Sequence, residues 1–174
     1  MNPMREIRLE KVTINIGAGE AGPKLEMAKK LLEKLSGKKV VVTKTHKRTT
    51  FGGAKRRPIG VKVTLRGDKA KEFLGSVLKA NENRISPDQF DSSGNFSMGI
   101  KEYIDIPGVK YDPEISIMGM DVCITLVRPG FRVKKRMIRP RKIGKNHRIT
   151  VEEAREWLKK EYDVTISRKE EEYI

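Results

Sequence analysis

The sequence predicts an α+β fold: a mostly antiparallel sheet of about five strands with helices packed on one face, extended by a long basic loop and a basic C-terminal arm. Three observations predict it. Several short segments alternate apolar and polar residues, as half-buried strands do. Longer segments repeat apolar residues at helical spacing. Lysine and arginine are concentrated in two stretches that contain no acidic residue.

The first strand is predicted at residues 11–16, where the apolar side chains all fall on one face. Its other face carries three polar residues, Lys11, Thr13 and Asn15. The first helix is predicted to begin at Pro23, because proline suits the first helical position, and to end at Gly37, a residue type that favours helix stops. A strand covered on both faces should be apolar on both sides, so the polar face of the first strand indicates that helices cover only one face of the sheet.

The stretch from Lys34 to Gly67 contains eleven Lys or Arg and no Asp or Glu. Its β-branched flanks, 40–43 and 59–65, predict two strands joined by a long basic loop with Phe51 at its head. Lys62, Thr64 and Arg66 again mark a polar strand face. The alternative is an ordinary solvent-exposed loop, which the lack of nearby counter-charge disfavours.

A second helix is predicted from Asp68, as its cap, to about Arg84, followed by a turn-rich loop over 85–94. Alternation then predicts strands at 95–100 and 120–126. A capping box at Thr150–Glu153 predicts the start of a last helix. Residues 1–166 are expected to form a single domain, and 167–174 a charged, frayed tail.

The basic arm lies in a second acid-free stretch, from Val122 to Val151, which holds ten Lys or Arg. The net charge of the chain is +15, yet the residues outside the two basic stretches include 17 Lys or Arg and 23 Asp or Glu. The excess positive charge is therefore confined to the two basic stretches, and such a concentration favours a nucleic-acid partner. Neither stretch has the apolar periodicity of an interfacial helix, and no signal or membrane-spanning segment is present, so a membrane partner is not expected.

Catalytic and cofactor signals are weak. Gly17-x-Gly19-x-x-Gly22 matches the dinucleotide fingerprint, but the acidic residue that should end the next strand is missing, so no cofactor is expected. His46 and His147 have no partner at metal-ligand spacing, and no metal is expected. Cys123, the single cysteine, allows no internal disulfide and has no evident catalytic partner. We therefore expect a protein that is not an enzyme.

Several blocks of the sequence closely resemble the archaeal branch of the large-subunit ribosomal protein L5 family. They are residues 2–17, 58–67, 94–100, 104–114, 119–122 and 128–132. The resemblance extends over nearly the whole chain to about Ile166. It implies a structural constituent of the cytoplasmic ribosome that binds 5S rRNA and helps anchor it to 23S rRNA in the central protuberance.

The same resemblance implies further partners: P-site tRNA, the small-subunit head protein S13, and another 5S-binding ribosomal protein. The contact with S13 is not assigned to particular residues. The tRNA-facing loop would comprise Thr49, Thr50, Gly52, Gly53, Lys55, Arg56 and Arg57. Its sequence departs from the Phe-Gly-Ile-Arg-Arg wording usual in the family.

By motif position the family's 5S rRNA contacts carry over to Asn15, Phe51 and Thr64. The strand patterns add four neighbours, Lys11, Thr13, Lys62 and Arg66. Lys38 stands where the family often has glutamine, so a phosphate contact would replace an amide hydrogen bond. The arm would neutralise rRNA phosphates through Arg128, Arg132, Lys134, Lys135, Arg136, Arg139, Arg141 and Lys142.

Two other functions stay open on the residues alone. A nucleotide-dependent enzyme would use the loop at 17–22, and saturable nucleotide binding would reveal it. A general basic chaperone or DNA-packaging protein would bind random duplex DNA as well as it binds 5S rRNA.

Overall fold

The structure, a computed structural model, describes residues 2–19, 21–48 and 54–167. Its strands, in chain order, are β1 (Arg8–Gly17), β2 (Val41–Lys44), β3 (Pro58–Leu65), β4 (Arg84–Ile85), β5 (Phe96–Ile100), β6 (Met120–Val127) and β7 (Thr165–Ile166). Its helices are α1 (Pro23–Ser36), α2 (Asp68–Ala80), α3 (Arg132–Lys135) and α4 (Val151–Tyr162). Among these residues, no helix is long and apolar enough to cross a membrane.

Five strands form one sheet in the order β2-β3-β1-β6-β5, mostly antiparallel, and β4 pairs with β7 in a separate parallel pair. The predicted α+β class with a five-stranded sheet is therefore confirmed. In every strand of the large sheet except β2, burial largely alternates along the strand, because most of its apolar side chains point to one side. The strand predictions succeeded because this alternation is local to each segment.

The chain divides into two compact units. One comprises Thr13–Leu65 and Met98–Cys123. In it, α1 packs on β3 and ends at Gly37, whose φ of 58° is left-handed, as predicted. Glycine is required at Gly60, because a Cβ there would lie 2.7 Å from the carbonyl oxygen of Ile16.

The other unit comprises Met1–Val12, Arg66–Ser97 and Ile124–Ile174, within which α2, α4 and the β4–β7 pair lie. The capping box of α4 is present as predicted. The Thr150 hydroxyl accepts from the amide of Glu153 at 3.4 Å, and the Glu153 carboxylate accepts from the amide of Thr150 at 3.0 Å.

Three predictions need correction at element ends. Asp68 is the first residue of α2 rather than its cap, which is Gly67. The helix stops at Ala80, not near Arg84, because Glu82 and Asn83 take positive φ values of 54° and 53°. The predicted loop at 85–94 contains the end of β4, whose two-residue parallel pairing with β7 has no local sequence signal. That residues 1–166 form a single domain stays a prediction.

Candidate nucleic-acid interface

In the unit containing α1, the side of β1 and β3 opposite the buried residues carries the predicted polar side chains. Lys62 and Thr64 are exposed, and Thr13 and Asn15 are half-buried. Because β1 and β3 are neighbours in the sheet, the four side chains form one surface. Its hydroxyl, amide and ammonium groups can donate hydrogen bonds to phosphate and ribose oxygens.

The edge strand β2 extends this surface. Val41 lies opposite Lys62 and Thr43 lies opposite Gly60 in the β2–β3 register, so both point to the polar side. Val41 is 57% exposed, an apolar patch beside the polar groups. An apolar residue of this size can pack against a ribose or a base.

Asn15 borders a shallow depression of about 450 Å³ in the same unit. The lining includes Gly17, Gly99, Gly119, Lys101 and Asp121. Glycines leave the backbone open to a ligand, and Lys101 contributes a cation. The sequence had not indicated this depression, because its walls come from three separate segments.

Lys38 is exposed directly after the left-handed turn that ends α1. Its amide donates to the Ser36 hydroxyl at 3.2 Å, and that hydroxyl donates to the carbonyl of Leu32 at 2.6 Å. Ser36 therefore holds the backbone of Lys38 while the ammonium group stays in solvent.

The base of the basic loop is closed by Thr45. Its hydroxyl donates to the Ala54 carbonyl at 2.9 Å and accepts from the Arg57 amide at 3.1 Å, while its carbonyl accepts from the Arg56 amide at 2.9 Å. Lys55, Arg56 and Arg57 are exposed beside this closure. The remaining loop residues of the prediction lie outside the described residues: Thr49, Thr50, Phe51, Gly52 and Gly53.

In the other unit, Glu10 joins two of the predicted cations. Its carboxylate lies 3.6 Å from Arg66 Nη1 and also pairs with Lys135. The carboxylate is 14% exposed, whereas the Arg66 side chain is 59% exposed and remains accessible. Lys11, next in the chain, is half-buried. Sequence reasoning missed Glu10, because its contact with Lys135 spans 125 positions.

The arm contains α3 and folds back on itself beyond it. The Arg141 amide donates to the Val133 carbonyl at 3.1 Å, and Arg136 Nε donates to the Arg139 carbonyl at 2.9 Å. Met137 is 98% exposed at the far end of this fold. Of the eight arm residues predicted to contact rRNA, six are exposed and have no carboxylate within 4.0 Å in the described part of the chain. They are Arg132, Lys134, Arg136, Arg139, Arg141 and Lys142.

Arg128 differs from the other arm residues. Its side chain is only 5% exposed, and Nη2 lies 2.6 Å from Glu153 Oε1 while Nη1 donates to the Arg148 carbonyl at 3.1 Å. Burial acts to raise the pKa of Glu153, but hydrogen bonds from Thr150 and Arg128 outweigh it and leave the pKa below its ordinary value. Arg128 is thus engaged inside the fold, although the sequence suggested a free cation.

The other chemistries weighed on the sequence find little support in the geometry. The amides of Ala18 and Gly19, within the glycine fingerprint, both donate to the Ile59 carbonyl, at 2.9 and 3.0 Å, rather than pointing free toward a phosphate. Glu20, which follows Gly19 in the same fingerprint, lies outside the described residues. Partial burial and then Asp121 raise the pKa of the Cys123 thiol, which disfavours the nucleophilic thiolate. Among described residues, no group of three or more His, Cys, Asp or Glu could hold a metal.

An open polar sheet face and a basic arm with most of its described cations free of carboxylate partners are typical of an RNA-binding protein. Two family models match the chain: ribosomal protein L5 over residues 2–50, and the C-terminus of the same ribosomal protein family over residues 58–162. The chain belongs to the ribosomal protein L5 family.

Three relatives illustrate the similarity, each named large ribosomal subunit protein uL5. The chain is 57% identical to that of Sulfurisphaera tokodaii over 169 residues, 95% of both chains. It is 50% identical to that of Methanosphaera stadtmanae over 95% of this chain and 99% of the relative. It is 44% identical to that of Nitrosopumilus maritimus over 95% and 96%.

Membership confirms the resemblance drawn from the sequence blocks. It also confirms the predictions of a structural, RNA-binding ribosomal protein located in the cytoplasmic ribosome, rather than an enzyme.

Proposed function

We propose that this protein binds 5S rRNA and helps to anchor it to 23S rRNA in the central protuberance of the large ribosomal subunit. The observation that supports the proposal most is the open polar surface of Thr13, Asn15, Lys62 and Thr64 on a sheet whose other side is apolar and buried. Neither Asn15 nor Thr64 is sealed inside the fold. A polar face left uncovered on a half-buried sheet fits a partner that offers phosphates and riboses.

The parts of the site have different tasks in this proposal. Asn15 and Thr64 form directional hydrogen bonds, which position the RNA on the sheet. Lys11, Lys38, Lys62 and Arg66 add charge near phosphates. The arm supplies a second, mainly electrostatic contact with the phosphate backbone of the bound rRNA, through those of its described cations that have no carboxylate partner.

Three finer assignments follow the family resemblance. The basic loop, with Lys55, Arg56 and Arg57 at its closed base, reaches toward P-site tRNA. The protein also contacts S13 of the small-subunit head and lies beside another 5S-binding ribosomal protein. The exposed cations of the described loop residues support the first assignment, since tRNA is also a polyanion.

Replacing Asn15 and Thr64 together with alanine is expected to weaken 5S rRNA binding by about tenfold, because two hydrogen bonds of roughly 0.5–1.5 kcal/mol each are lost. Filter binding of the full chain measures the affinity, and thermal unfolding checks that both residues are dispensable for folding. Ser76→Ala on α2, whose hydroxyl donates to its own helix at 3.2 Å, is the matched control. Unchanged affinity in the double variant removes both residues from the site.

Deleting residues 52–56 is expected to leave 5S rRNA binding within about twofold of the full chain, because the sheet surface and Phe51 are kept. Large subunits assembled with the shortened chain should lose crosslinks between this protein and P-site tRNA. Arg57→Gln, which retains the backbone contacts of Thr45, serves as a comparison that removes charge alone. Loss of 5S rRNA binding on deletion would mean that the loop belongs to the 5S site instead.

A further inference from the structure

We propose that the basic arm forms one wall of a pocket that receives a single unstacked nucleotide of RNA. The inference deepens the proposed function and rests on it, since the nucleotide is part of a bound RNA. The pocket has a volume of about 430 Å³ and lies within the unit that contains α2 and α4. That volume is near the lower end of the range of about 300–1,000 Å³ found for small-molecule sites. It suits one nucleotide and excludes a duplex.

The floor of the pocket is apolar and held in place. Ile149 is 2% exposed and packs over Gly94, where a Cβ would lie 2.6 Å from Ile149 Cγ2. Gly94 also has a left-handed φ of 74°, so two constraints require glycine there. The half-buried Phe131 ring meets the His147 ring edge-on at 5.8 Å, and a His147 ring nitrogen lies 2.8 Å from the Pro129 carbonyl. A base that stacks on Phe131 would therefore meet a ring that is already oriented.

The rim of the pocket is cationic. It carries Lys134, Arg141, Lys142 and Arg148. In the described part of the chain none of these four lies within 4.0 Å of a carboxylate, whereas the next residue, Lys135, pairs with Glu10. Unpaired cations around an apolar floor offer binding partners for phosphate oxygens next to a surface for a base.

This combination matches the way proteins bind single-stranded RNA: the base leaves its stack, lies on an aromatic ring, and its phosphates meet basic side chains. Paired bases cannot reach Phe131, because they remain stacked within the duplex. A free mononucleotide carries the same groups, so the test must separate it from RNA.

The test measures fluorescence anisotropy of the full chain with a labelled single strand of about 12 nucleotides, and with the same strand in a duplex. Phe131→Leu should weaken binding of the single strand by roughly tenfold and leave duplex binding unchanged, since stacking is lost but apolar volume is kept. Phe90→Leu is the matched control, because Phe90 is also a half-buried ring, with its partner Phe96 at 5.5 Å. It should bind both RNAs as the unaltered chain does.

A second pair of variants tests the rim. Lys134→Gln should weaken single-strand binding more than Lys135→Gln, because only Lys134 faces the pocket. Equal single-strand affinity for Phe131→Leu and the unaltered chain would overturn the proposal. So would adenosine or uridine monophosphate binding as tightly as the strand. If the chain binds single strands through Phe131 but does not prefer 5S rRNA over random duplex DNA, the pocket stands and the 5S assignment fails.

Discussion

Replacing Arg128 with methionine is expected to lower the free energy of unfolding by about 3 kcal/mol. Removing one partner of a buried ion pair usually costs about 3–5 kcal/mol, and the lower value applies because the Glu153 side chain is 39% exposed. The change also leaves the Arg148 carbonyl without its donor at 3.1 Å. Urea-induced unfolding followed by circular dichroism measures the loss.

The same pair makes stability depend on pH in a defined direction. The pKa of Glu153 is lowered in the folded chain from an ordinary value of 4.5. Its contribution to stability is therefore complete above pH 4.5 and disappears as the pH falls through the folded pKa. In the Arg128→Met variant the loss of stability at acidic pH should be smaller, because one of the interactions that favour the charged Glu153 carboxylate is gone.

Arg132→Met is the matched control, since Arg132 is an exposed cation of the same segment and its replacement should change stability by less than about 0.5 kcal/mol. Adding Glu153→Gln to Arg128→Met should restore part of the loss, because no unpaired carboxylate remains. Equal unfolding free energies for Arg128→Met and Arg132→Met would contradict the structural role of Arg128.

Raising the salt concentration from 50 to 200 mM is expected to weaken 5S rRNA binding by about a thousandfold. Each neutralised phosphate contributes a slope of about −0.7 to −0.9 in log K against log salt. Six of the eight arm residues predicted to contact rRNA are exposed cations without carboxylate partners among the described residues. If all six meet phosphates, the slope is about −4 to −5. Filter binding at several salt concentrations measures it.

A charge-reduced arm provides the comparison. Arg139→Gln with Arg141→Gln should make the slope shallower by about 1.4 to 1.8, because two phosphate contacts are lost. Lys159→Gln with Lys160→Gln removes two exposed charges from α4, outside both basic stretches, and should leave the slope unchanged. Salt-insensitive binding, or equal slopes for the two double variants, would be inconsistent with the role given to the arm.

Most of the sheet and the long helices could be read from local patterns. Alternation marked β1, β3 and β6, and a glycine stop and a capping box marked ends of α1 and α4. The predictions that failed concerned features that depend on pairing between distant segments or on an unusual backbone conformation. The β4–β7 pair joins segments about eighty residues apart, and the end of α2 depends on two positive φ values.

The candidate site shows the same division. The polar residues of β1 and β3 were found because their spacing alone assigns them to one side of a strand. The closure of the loop by Thr45, the Glu10 pair with Lys135 and the pocket beneath the arm were missed. Each depends on atoms brought together from separate segments.

The sequence by itself determined the fold class, the family and the two concentrations of positive charge, because residue order and composition carry that information directly. Only the tertiary structure decided which cations are free. Arg128 and Lys135 look like their neighbours in the chain, yet each meets a carboxylate contributed by a distant segment. The charge that a side chain presents to RNA depends on its neighbours in space, and those neighbours are set by folding.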